Sequence, residues 1–69
     1  MTGVGIDVSK AVLDLAANDA AKVDHFPNTP AGIRRLVELL RARPGVCIVL
    51  EATGGYEEAV LAACAEASL

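Results

Sequence analysis

The first 26 residues alternate between apolar and polar positions. After them the spacing becomes helical. Over residues 3–8, Val4, Ile6 and Val8 fall on one side and Gly3, Gly5 and Asp7 on the other, the period of two of a half-buried strand. Ser9-Lys10 predicts a tight turn, and residues 11–17 a second strand in which Val12 alternates against Leu13 and Leu15. Asn18-Asp19 supplies the next turn, since both residue types tolerate left-handed backbone and bond locally. Residues 21–26 predict a third strand anchored by Val23 and Phe26. Short strands joined by short turns make an antiparallel meander.

Pro27-Asn28-Thr29-Pro30 ends this pattern. Thr29 suits an N-cap, and Pro30 suits the first helical position, where its missing N–H has no partner to lose. The spacing predicts a helix over 30–43, with Ile33, Leu36, Val37 and Leu40 on one face and Pro44-Gly45 as its stop. Residues 46–50 are continuously apolar, which predicts a strand buried on both faces and parallel to a neighbour. Glu51 closes it, Ala52-Thr53-Gly54-Gly55 follows, and residues 56–67 predict an alanine-rich helix with Glu57 and Glu58 in its first turn. The predicted order is β-β-β-α-β-α.

Composition narrows the picture. Sixty-nine residues make at most one small domain, and such a chain buries only about 60% of its unfolded surface. The 54% hydrophobic content overstates the core, because thirteen residues are alanine and the aromatics are only Phe26 and Tyr56. A net charge of −3 and a pI near 4.8 argue against a free-standing nucleic-acid binder. Four of the six basic residues, Arg34, Arg35, Arg41 and Arg43, fall in the first helix and its exit, where a solvated face is the simplest reading and a phosphate-facing surface completed by other parts of a longer protein is the sharper one. Cys47 and Cys64 lack ligand partners at metal spacing and read as small buried hydrophobes. Neither a leader nor an apolar run of membrane-spanning length is visible, so a cytoplasmic protein with reduced thiols is expected.

The chemistry concentrates in two acids. Asp7 and Glu51 each stand where a predicted strand runs out. A crossover helix followed by a parallel strand places strand four beside strand one. Both acids then reach the same end of the sheet, where such a pair can share Mg²⁺ or Mn²⁺. A meander, a crossover helix and a parallel fourth strand describe the first part of a ribonuclease-H-like α/β domain. Plainer roles exist for every residue. Asp7 can cap the Ser9-Lys10 turn, Glu51 can answer an arginine, and Gly54-Gly55 can be a tight turn rather than a phosphate cradle. Lys10 can be merely solvated, Tyr56 can be core rather than a base-stacking ring, Asp14 and Asp24 can be exposed strand positions, and His25 stands alone.

Three motifs carry a family resemblance. Gly5-Ile6-Asp7-Val8-Ser9-Lys10, Phe26-Pro27-Asn28-Thr29-Pro30-Ala31-Gly32 and Leu50-Glu51-Ala52-Thr53-Gly54-Gly55-Tyr56-Glu57 resemble the N-terminal part of the DEDD-type insertion-sequence transposases, whose catalytic domain is similar to the RuvC resolvase. The resemblance implies that Asp7 is the first D and Glu51 the E of a catalytic tetrad binding Mg²⁺ or Mn²⁺. It also implies that Lys10, Thr53, Gly54, Gly55 and Tyr56 lie toward DNA. The family's last two aspartates and its fifth strand would lie beyond Leu69, so residues 1–69 would be a partial RuvC-like domain, inactive alone. The function implied is metal-dependent DNA strand cleavage and transfer in transposition, a form of DNA recombination. A guide RNA is described for some members.

Two other readings stand beside it. Actin- and sugar-kinase-type ATP-binding domains share this strand order, although Asp7-Val8-Ser9-Lys10 lacks their glycine after the acid. A non-catalytic remnant is the third. Without a fifth strand, residues 46–50 would form an apolar edge, from which a homo-oligomer paired through strand four is expected.

Overall fold

The computed structural model describes residues 2–18, 22–43, 45–52 and 54–69. Among them the elements are β1 (Thr2–Val8), β2 (Val12–Ala17), β3 (Val23–Pro27), α1 (Pro30–Arg41), β4 (Val46–Ala52) and α2 (Glu58–Glu66). The strands form a mixed four-stranded sheet in the order β3-β2-β1-β4. β2 is antiparallel to both its neighbours, and β4 runs parallel to β1. The α1 connection therefore carries the chain from one edge of the sheet to the other. The architecture is a small α/β fold, and strand four lies beside strand one as expected.

The core forms where the alternating strands meet the helical stripe. Val4, Ile6 and Val8 of β1 and Leu13, Leu15 and Ala17 of β2 pack against Ile33, Leu36 and Leu40 of α1 and Val60 and Cys64 of α2. Each fully buried Leu or Ile among them contributes about 1.5–3 kcal/mol. Both helices thus lie on one face, and the face bearing Gly5, Asp7, Val49 and Glu51 stays exposed.

That one-sided layering corrects three expectations. β4 is not buried on both faces: Val46, Ile48 and Leu50 are half-buried toward the helices, while Cys47 and Val49 are exposed. Cys47 is consequently a surface thiol, and of the two cysteines only Cys64 is buried. Val23 and Phe26 cannot both anchor β3, because positions three apart in a strand face opposite ways. Phe26 packs on the core, and Val23 is 42% exposed.

The start of α1 follows its sequence closely. Thr29 Oγ1 accepts a hydrogen bond from the Gly32 amide at 3.1 Å, and Pro30 occupies the first turn. Gly32 is there for space: a β-carbon on it would collide with the Pro27 carbonyl oxygen and lie 2.8 Å from Pro27 Cγ. The helix ends at Arg41, two residues before the expected 43, and Gly45 at φ 71° redirects the chain into β4. α2 begins at Glu58 rather than 56, since Gly54 and Gly55 hold φ values of 82° and 80° and keep residues 54–57 in a turn. The expected start of β3 at Ala21 lies outside the described residues.

Candidate metal and nucleic-acid site

The strand registers assemble a polar row across the uncovered face. Glu51 is the cross-strand partner of Asp7, Asp7 of Asp14, and Asp14 of His25. Neighbouring strands lie about 4.8 Å apart, so Asp7 has an acid on each side. Like charges directly opposite one another are destabilising in a sheet.

Hydrogen bonding divides the row. Asp14 Oδ1 accepts from His25 Nδ1 at 2.6 Å, with the imidazole 68% and the carboxylate side chain 40% exposed. Asp7 and Glu51 have no side-chain partner among the described residues. The plain role for Asp7 is filled by another residue. Ser9 holds its own turn, its Oγ donating to the Val12 carbonyl at 3.0 Å and accepting from the Val12 amide at 3.2 Å. Glu51, likewise, is in no ion pair with an arginine among the described residues. The arginines of α1 lie in the helical layer behind the sheet, which fits a solvated face rather than one shared with the acids.

Beside the acids, Gly5 leaves the surface open. Nothing lies within 4 Å of where its β-carbon would be. A depression of about 260 Å³ results, lined by Gly5, Asp7, Asp14, Ala16, Val49 and Glu51. A larger groove of about 600 Å³ runs between α1 and α2, but it lies among Ile33, Val37, Ala59 and Ala63, away from the acids.

The loops at this end of the sheet are tied together by Asn28. Its Nδ2 donates to the Ser9 carbonyl at 2.9 Å and to the Tyr56 carbonyl at 3.4 Å, while its backbone amide donates to the Ala11 carbonyl at 2.9 Å. One side chain thus joins the β1–β2 turn, which carries Lys10, to the loop of Gly54, Gly55 and Tyr56. Lys10 is exposed, and Tyr56 is 43% exposed rather than core, its ring against Gly54. Thr53 lies outside the described residues. Glu57, the residue before α2, buries Oε2 without a hydrogen-bond partner among the described residues.

Hard divalent cations take oxygen ligands, and Mg²⁺ is commonly held by one or two carboxylates with water and phosphate completing the shell. Asp7 and Glu51, adjacent, exposed and unpartnered, fit that donor set. No group of three or more His, Cys, Asp or Glu side chains is gathered to hold a metal among the described residues. What the chain offers is two ligands of a larger site.

Neither a protein family nor a curated protein matches this chain.

Sequence reasoning missed Asp14–His25 and Asn28. The first was recoverable to within one residue, because predicted strands 11–17 and 21–26 set 14 opposite 24, and the pairing of Ala16 with Val23 sets it opposite 25. The second was not, since its acceptors are carbonyls of two remote loops.

Proposed function

We propose that residues 1–69 form the first part of a ribonuclease-H-like catalytic domain of a DEDD-type insertion-sequence transposase. Such an enzyme cuts and rejoins DNA in transposition, and a cytoplasmic setting and, as in some members, a guide RNA accompany the reading. The observation that carries it is the Asp7–Glu51 pair: cross-strand partners on parallel strands, on one open face, each without a side-chain partner among the described residues.

Asp7 and Glu51 would hold Mg²⁺ or Mn²⁺ from one side, with two further carboxylates coming from residues outside this sequence. The ion's contribution when bound is to activate the attacking oxygen and neutralise charge on the phosphate. Lys10 presents an ammonium at the same end of the sheet. Gly55 leaves its backbone amide open to a phosphate, Gly54 carries the Tyr56 ring against it, and the exposed part of that ring offers a stacking surface. Thr53, in the same motif, completes the nucleic-acid contact. Asn28 keeps these two loops in register.

Mn²⁺ titration followed by NMR tests the metal pair. Broadening is expected at residues 6–8 and 50–52 first, and is expected to be lost in Asp7→Asn and Glu51→Gln. Broadening centred elsewhere, or unchanged in both variants, defeats the assignment. Stabilisation by ATP without Mn²⁺ binding at these acids would favour the kinase-type reading instead.

A further inference from the structure

The metal pair leaves Asp14 unused. Asp14 is the cross-strand partner of Asp7 on the side away from Glu51, and it lines the same depression of about 260 Å³ as those two acids. From the β3 side, His25 Nδ1 donates to its Oδ1 at 2.6 Å. That bond fixes how the carboxylate stands on the open face and leaves Oδ2 with its acceptor capacity unspent. The side chain is 40% exposed, so the free oxygen is reachable from solvent.

Mg²⁺ gives up water reluctantly, and when one or two carboxylates hold it, several waters stay in its shell. Those waters are hydrogen-bond donors. The acceptors around a bound metal are commonly carboxylates that a further residue holds in place. Asp14 has both properties and stands one strand from Asp7. It is not a third ligand, because no three such side chains are gathered to hold an ion among the described residues. We propose that Asp14, oriented by His25, is a positioning residue of the metal site, accepting a hydrogen bond from water in the shell of a cation held by Asp7 and Glu51. The inference rests on the metal-pair reading above and extends that site across β2 to β3. His25 touches no ligand itself. Its ring shares the Asp14 carboxylate with the hydration shell and therefore senses when the site is filled.

Titration of the 69-residue chain with Mg²⁺, followed by NMR at the backbone amides and the His25 ring nitrogens, tests it. The amides of residues 6–8 and 50–52 and the His25 ring are expected to shift with one common midpoint. Mg²⁺ takes oxygen ligands, so direct binding to the imidazole does not account for a ring shift. In Asp14→Asn the amides are expected to shift at about tenfold higher Mg²⁺, and the ring no longer to respond. Asp24→Asn removes the same charge from β3, but Asp24 lies opposite the buried Leu15 and so on the helix side. Its midpoint is expected to be that of the unsubstituted protein, which separates a contact from a general charge effect. If Asp14→Asn fails to fold, the His25 response in the unsubstituted protein still decides. Amide shifts with a silent His25 ring, an unchanged midpoint in Asp14→Asn, or an equal change in Asp24→Asn each overturns this inference and leaves the metal pair standing. No shift at residues 6–8 and 50–52 defeats the metal pair itself, and this inference with it.

Discussion

Gly32, in the first turn of α1, lies so close to Pro27, the last residue of β3, that the Pro27 carbonyl oxygen occupies the place of a β-carbon. The contact sets the angle at which the chain leaves the meander and crosses to β4.

Gly32→Ala is expected to destabilise the fold by about 2 kcal/mol or more, because the obstruction is backbone and cannot rotate away. Gly5→Ala, where nothing lies within 4 Å, is expected to be neutral or slightly stabilising. Denaturant unfolding of the two variants checks this. Equal midpoints would show that the close approach does not constrain the fold.

Asn28→Ala removes two side-chain hydrogen bonds that link separate loops. These bonds are solvent-exposed, so a cost of about 0.5–1.5 kcal/mol is expected. The informative readout is local. Amide exchange should accelerate at residues 9–11 and 54–57 together, with the core of β1 and β2 unchanged. Acceleration in only one loop would mean the other is held by its own contacts.

The 69-residue chain is expected to cleave no DNA with Mg²⁺ or Mn²⁺. Asp7 and Glu51 supply too few ligands to fix two ions for in-line attack. A supercoiled-plasmid nicking assay measures this directly. Metal-dependent nicking that disappears in Asp7→Ala would show that two carboxylates suffice.

The cysteines should differ in reactivity. Cys47 is exposed and should react with a thiol reagent at once, whereas Cys64 should react only as the fold opens. Burial without compensating charge pushes the Cys64 thiol up. The unfolded chain therefore loses this proton first, and the contribution of Cys64 to stability is lost as pH rises from the ordinary thiol range toward the raised folded value. Cys64→Ala should flatten that alkaline decline in thermal melts. An unaltered decline would place its origin elsewhere.

Much of the fold was legible in residue order. The alternation of Val4, Ile6 and Val8 and of Leu13 and Leu15 specified the buried face of the meander, and Thr29-Pro30 with Ile33, Leu36 and Leu40 specified α1 and its inward stripe. Such patterns are local, because a side chain's facing follows from the period of its own element. The adjacency of Asp7 and Glu51 needed one rule more, the habit of crossover connections. Only the tertiary structure decided what lay on the other side of each element. An apolar run such as residues 46–50 reads the same whether one face is covered or two, and both helices settling on one face left Cys47 and Val49 exposed. The Asp14–His25 bond and the Asn28 bridge likewise depend on which strands and loops become neighbours. Those partners are set by packing across the sheet, beyond the reach of any periodicity within a single element.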